Sequence, residues 1–451
     1  MSKNPHFDQE AVQDGSPKQG RPTPSPLPGG AATPADESAP VTDIRLESGP
    51  GPIAPAGIPR WDPRSDEVLN DQIAAYDRMR RSCPMAHSPY GYTSVFRHAD
   101  VLRVLQDHET FSSVVSRRPS VPNGMDPPEH TAFRRLIEPY FSAGEMDAFA
   151  PACRRIAVRL VDALPEDREL ELMSEFAQIF ALQIQCAWLG WPDDMHEPLR
   201  LWTRKNHAAT LARDEAALAA VALEFDGYIR ALLAARRGAG GAAPEDVTTR
   251  LMRDESLGRP LSESEIVSIL RNWTVGELGT IAASIGIVAH YLAVRPAVQQ
   301  ELRDDRSLVP AAIDEILRIH APLVMNRRTT TKAVTLAGHG LPSGSRLALL
   351  WASANRDEAV FGDPDEFRLD RDPELNLLYG AGIHVCPGAP LARLELRIVF
   401  EELLAGTARI ELASAKPPVK AFYPASGFSS LALRVRKSPG HATRIDPAAG
   451  P

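Results

Sequence analysis

Apolar residues recur at three- and four-residue spacing over 66–82, 98–107, 129–140, 144–163, 168–190, 214–236 and 262–294, the periodicity of helices that each bury one face. Strand-like stretches are short: YGYTSVFR (90–97), residues 329–351, and the carboxy-terminal ARIELA and SSLALRVR. The pattern predicts a mainly α-helical body with small β-sheets at its margin. One segment stands apart. From Ser262 the chain reads SESE, a capping-box signature in which Glu265 bonds back to the first turn, and the interior NWTVGELGTIAASIGIVAHYL is mostly apolar on every face. Such a helix runs through the middle of a protein. It nevertheless carries Gly276 and Gly279, each about 1 kcal/mol less favourable than alanine in a helix. Close approach of another helix, or of a ligand, would each account for them.

Composition divides the chain. Residues 1–58 are rich in proline and glycine, with TPSPLPGG and SGPGP runs and almost no large apolar side chains. Such a segment cannot bury enough surface to offset its ordering entropy, so the expectation is a disordered amino-terminal tail. A single domain is expected over 59–437, followed by a short tail at 438–451, and GAGGAAPED (238–246) reads as a loop between helices. The 58 acidic residues exceed the 50 Lys and Arg, a formal charge of −8, with no long basic block. That argues against nucleic acid as the partner and for a small molecule or a protein. Four scattered cysteines (Cys83, Cys153, Cys186 and Cys386) suit a reducing cytoplasm rather than a disulfide framework. No signal-peptide pattern or membrane span is expected.

Candidate chemistry centres on YGAGIHVCPG, residues 379–388. Cys386 follows a glycine-rich turn and precedes Pro387 at the start of a predicted helix, PGAPLARLELRIVFEELL. The amides of Gly388 and Ala389 at such a start favour a thiolate. Four roles compete: a packed apolar thiol, a nucleophile with His384 as base, a zinc ligand beside His384, or the single protein ligand of a haem iron. Cysteine-protease cues are absent, and no second closely spaced ligand pair completes a zinc site.

The stretch resembles the haem-binding signature of the cytochrome P450 family, Phe-Gly-x-Gly-x-His-x-Cys-x-Gly, matched at Gly380, Gly382, His384, Cys386 and Gly388, with Tyr379 in place of phenylalanine. EILR (Glu315 to Arg318) resembles the family's structural Glu-x-x-Arg pair, and residues 354–371 resemble the segment that locks onto it. The resemblance covers about 61–435.

It implies a single triangular helical domain with the long central helix over a haem b, whose iron is held by Cys386. It implies propionate partners at His130, Arg134, Arg328 and His384. It also implies a monooxygenase that activates O2 to oxidise a small, largely apolar organic substrate. Electrons would come from a separate ferredoxin or flavodoxin with its reductase, because nothing in the chain resembles a flavin, nicotinamide or iron–sulfur module. Arg393 and Arg397 are candidates for that docking face. Substrate-lining positions are expected in the loop 111–125 and at Leu278, Gly279, Val324, Met325 and Phe428. The family usually places an acid before a threonine in the central helix as a proton relay. Here GELGT puts Thr280 on the threonine and Gly279 where the acid belongs, with Glu277 one turn away as a possible substitute. That departure leaves an atypical oxidation (desaturation, coupling or a peroxide-driven reaction) as the alternative, and a haem-binding protein without turnover as a further one.

Overall fold

The computed structural model describes residues 57–116, 120–166, 168–413 and 416–438. Nearly all of the expected tails at 1–58 and 438–451 lies outside the described residues, as do Arg117 and Arg118 of the loop 111–125. The described body is mainly helical, and its strands gather into one five-stranded sheet, one three-stranded sheet and two hairpins.

The central helix, Glu263–Val294, is the frame on which the rest is hung. Its capping box is formed: the Glu265 amide donates to Ser262 Oγ at 3.3 Å and the Ser262 amide donates to Glu265 Oε2 at 2.7 Å. Arg259 pairs with the same carboxylate at 2.6 Å and is the main reason its pKa falls to about 2. Hydroxyls in the buried interior are satisfied within the helix, Thr274 donating to the Leu270 carbonyl at 2.9 Å and Ser284 to that of Thr280 at 2.7 Å. By length and apolarity alone this helix could cross a membrane, but it is mostly buried inside the protein. It packs against Gln178–Leu189, Val309–His320 and Ala389–Gly406, the last being the cysteine helix. The cysteine helix in turn lies along Ala143–Asp162.

The five-stranded sheet runs in the order Met85–His87, Thr93–Val95, Arg346–Leu350, Met325–Thr330, Phe111–Ser112. Its central antiparallel pair registers Arg328 opposite Leu347. The sheet carries Arg328 on a strand rather than on a loop, which fixes its direction.

Two departures from the periodicity are informative. The apolar run 168–190 is not one helix: Leu170–Glu171 forms a strand against Ala432–Leu433, and a π-turn over Met173–Ala177 leads into the helix Gln178–Leu189. Glu171 holds this corner by accepting from the Ser174 amide (2.7 Å), the Ser174 hydroxyl (2.6 Å) and the Leu431 amide (2.8 Å). Strand pairing with a distant segment here overrides local helical pattern. Helices His196–Ala212 and Pro296–Asp304 were not evident from spacing, since only Leu199, Trp202 and Ala209 are buried in the first, and Gln299 and Leu302 in the second.

Candidate active site

The cysteine loop is shaped by backbone that L side chains rarely adopt. Gly380 and Gly382 have φ of +76° and +69°. A Cβ on Gly382 would stand 2.3 Å from the Leu105 carbonyl oxygen, so this glycine admits the end of the helix His98–Gln106. A Cβ on Gly388 would lie 3.9 Å from Cys386 Sγ and 3.7 Å from the Phe141 ring. The Cys386 amide donates to the Tyr379 carbonyl at 2.8 Å and closes the loop. Cys386 itself presents an exposed side chain at the foot of the cysteine helix. Protein walls nevertheless desolvate its thiol and raise its pKa, and the amides of Gly388 and Ala389 pull the other way without prevailing. The helix start therefore moderates the thiol but does not by itself make a thiolate.

Around this loop four basic groups converge. The rings of His130 and His384 lie 4.1 Å apart between centroids, tilted by 50°, both with an Nε2 that is buried and unpartnered. Arg134 donates to the Val385 carbonyl at 2.8 Å and meets Glu138 at 3.2 Å. Arg328 donates to the Arg327 carbonyl at 2.7 Å and is buried. Burial lowers His384 to about 3 and His130 to about 4, and in each case the neighbouring basic groups add to the effect. Burial likewise lowers Arg328 to about 10. Of these groups only Arg134 has a carboxylate partner, Glu138, while the two imidazole Nε2 atoms have no partner, so the cluster offers donors to an anion.

The central helix carries an open stripe in its middle. Val275, Gly276 and Gly279 are exposed and Thr280 is half-buried, in a helix otherwise enclosed nearby. A Cβ built on Gly276 or Gly279 meets nothing within 4 Å, so neither glycine serves helix packing. Gly286 is the contrast: its Cβ would stand 2.6 Å from Met173 Sδ. Thr280 Oγ1 donates to the Gly276 carbonyl at 2.6 Å. Glu277 does not share the stripe. It is buried and faces Glu395 of the cysteine helix.

The positions expected to line a substrate site have different surroundings. Leu278 is buried and lines a cleft of about 250 Å³ with Leu182, His196 and Arg200. Val324 is buried among Tyr92, Ala348 and Tyr423, and Met325 Sδ accepts from the Tyr423 hydroxyl at 3.5 Å. The Phe428 ring lies 4.5 Å from that of His290, tilted by 36°, and reaches Gly286. Gly286 and His290 lie roughly 9 and 15 Å, respectively, along the helix from Thr280 at 1.5 Å per residue. In the loop 111–125, Val114 and Val115 are exposed. Val121 and Ser120 tie the loop to the central helix through Ser268 (2.9 Å) and Asn272 (3.2 Å).

Glu315 and Arg318 form a buried bidentate pair at 2.7 and 2.9 Å. Arg318 also donates to the carbonyls of Asn355 (2.7 Å) and Pro364 (2.9 Å), while Arg371 reaches Glu315 at 2.9 Å. The pair thus clamps the helix Val309–His320 to the segment 355–371. Arg393 is held by Asp314 at 3.1 Å and stacks over Tyr379, and Arg397 pairs with Glu401 at 3.2 Å. Both arginines are engaged within the chain. Among the described residues no group of three or more His, Cys, Asp or Glu side chains gathers as a metal site would require. Sequence reasoning missed Glu395, Arg371 and Leu105. An acid on the buried face of LARLELRIVFEELL was a readable signal for Glu395, whereas nothing local points to Leu105.

In sequence family and in fold the chain matches one group of proteins, the cytochromes P450. The cytochrome P450 family model matches residues 211–407. Cyclomarin C epoxidase of Salinispora arenicola is 32% identical over 335 residues, covering 71% of this chain and 84% of that protein. Erythromycin C-12 hydroxylase of Saccharopolyspora erythraea is 31% identical over 366 residues, covering 76% and 90%. Among solved structures, cytochrome P450 CYP109Q5 from Chondromyces apiculatus superposes with a TM-score of 0.76 at 29% identity, covering 84% of this chain and 99% of that one. The chain belongs to the cytochrome P450 family and is an oxidoreductase. The family implies a haem, and the residues present fit one. The orphaned imidazole nitrogens and the two guanidinium groups suit its carboxylates, and the two glycines of the stripe leave room for a flat face.

Proposed function

We propose that this chain is a cytoplasmic monooxygenase that holds haem b through Cys386 and inserts oxygen into a small, largely apolar organic substrate. The observation that carries the reading is the convergence of His130, His384, Arg134 and Arg328 beside the cysteine loop, with two buried imidazole nitrogens lacking a partner. These four groups hold the propionates. When bound, the haem supplies the iron at which O2 is activated, with thiolate ligation favouring O–O cleavage.

The chain's own residues orient and exclude. Gly276 and Gly279 let the flat group lie close to the central helix. Thr280 holds a hydroxyl proton on the same stripe, parked on the Gly276 carbonyl until an acceptor displaces that bond. Apolar side chains such as Val114 and Val115 favour an apolar substrate. The names of the two relatives, an epoxidase and a hydroxylase, fit oxygen insertion of this type. Electrons come from a ferredoxin or flavodoxin with its reductase.

Gly279 in the acid's position favours one second reading, in which the enzyme catalyses a desaturation, a coupling or a peroxide-driven oxidation. The absorbance of the reduced, carbon-monoxide-bound protein tests the ligand, and a spin-shift screen followed by product analysis with NADPH-driven or peroxide-driven turnover tests the reaction. A band typical of histidine ligation overturns the Cys386 assignment. Product formed only with peroxide overturns the monooxygenase reading in favour of the second.

A further inference from the structure

Glu277 of the central helix and Glu395 of the cysteine helix face one another in the interior. Glu395 is fully enclosed and Glu277 is 9% exposed. Neither Glu395 oxygen has a hydrogen-bond partner, and neither has Glu277 Oε1. Ionised carboxylates only accept, so two of them side by side satisfy nothing. Two uncompensated buried charges are also strongly unfavourable. The groups that act on the pair bring no cation: they are Cys153 of Ala143–Asp162 and, from the cysteine loop, Cys386 and Tyr379, all acids. The arginines beside Cys153 are engaged elsewhere, Arg154 with Glu401 and Glu402 and Arg397 with Glu401. Burial raises both glutamates, Glu395 further, its neighbour's charge adding to the effect.

We propose that Glu277 and Glu395 hold one proton between them at neutral pH, one carboxyl donating to the other's carboxylate, and that this pair is the internal acid of a chain whose usual acid position is Gly279. One shared proton joins one oxygen of each carboxyl in a hydrogen bond and leaves one negative charge in place of two. Glu277 is one turn before Thr280, so the proton is stored on the turn that carries the stripe's hydroxyl. A proton given up there leaves two buried carboxylates, which burial disfavours, so the pair favours regaining one. The use of the proton rests on the monooxygenase reading above, whereas its being shared does not.

Infrared difference spectra of the haem-loaded protein at pH 7 test it, wild type minus E395Q and wild type minus E277Q. The expected result is a protonated-carboxyl C=O stretch in both differences, moving in D2O. Carboxylate bands alone overturn the proposal, as does a protonated band of Glu395 that E277Q leaves unchanged, since Glu395 would then hold its proton alone. E277D, which keeps the carboxyl, serves as the second variant should E277Q lose its haem, and it is expected to retain the band at a shifted frequency. An unshifted band in E277D overturns the sharing. Product formed per NADPH and its solvent isotope effect are expected to change in E277Q; if both stay at the wild-type value, the pair is not the acid. A failed monooxygenase reading shows separately in the carbon monoxide band.

Discussion

The Leu105 carbonyl oxygen lies 2.3 Å from the place where a Cβ on Gly382 would stand, and Gly382 has φ +69°. This glycine lets two pieces of protein touch, the end of the helix His98–Gln106 and the loop that presents Cys386. Gly382→Ala therefore meets two obstacles, left-handed backbone strain of about 1–3 kcal/mol and overpacking of about 1–3 kcal/mol. The expected outcome is a melting temperature lower by several degrees with partial loss of haem, read by circular dichroism and by the carbon monoxide band. An unchanged melting temperature would mean that the helix end yields freely.

Arg318→Ala removes the donor for both Glu315 oxygens and for the carbonyls of Asn355 and Pro364. Breaking a buried pair from one side costs about 3–5 kcal/mol because the surviving charge stays buried. Arg371→Ala leaves the Arg318 pair in place, so its cost is expected to be smaller. Urea unfolding of the two variants side by side checks the order, and equal midpoints would contradict the clamp.

The central helix was readable because its cap is local and its apolar character is continuous, and the same is true of the Glu315–Arg318 spacing. The reason for Gly276 and Gly279 was not readable. A glycine that admits a helix and one that faces a ligand look alike in sequence, and only the open space beyond each Cβ separates them. Leu170–Glu171 misled for the opposite reason, since their strand partners lie about 260 residues away and local periodicity cannot report them. Glu277 illustrates both limits. Its spacing from Thr280 was visible, but its burial against Glu395 depends on how two distant helices meet.

The adjoining imidazoles of His130 and His384 predict an acid-sensitive fold in the haem-free chain. His384 is held at about 3 and His130 at about 4, so the folded state binds these protons less readily than the unfolded state, where histidine titrates near ~6.5. Their contribution to stability is complete above that unfolded value and is lost as pH falls toward 4 and then 3. Thermal melts between pH 7 and 4.5 are expected to fall with pH, and His130→Asn is expected to flatten that fall. With haem bound, a propionate beside the ring favours the imidazolium, so the acid slope is expected to shrink. A slope identical with and without haem would separate these histidines from the propionates.

Gly279 and Thr280 lie together on the open stripe, and the space beyond Gly279 decides what a new side chain there would do. Since its Cβ meets nothing within 4 Å, Gly279→Asp is expected to fold at least as well as the wild type, gaining up to about 0.5 kcal/mol of helix propensity. The variant also restores an acid next to the threonine. Thr280→Ala removes the hydroxyl that now donates to the Gly276 carbonyl and leaves the backbone in place. If Thr280 carries protons, that change lowers product per NADPH oxidised and releases more hydrogen peroxide, with a rate loss on the order of 100-fold or more for a full acid–base role. Gly279→Asp in the E277Q background is the informative combination, because an acid at the stripe can then replace the buried pair. Recovery of product yield in that double variant would show that proton supply is the limiting function at this turn, and no recovery would place the defect of E277Q in packing between the two helices instead.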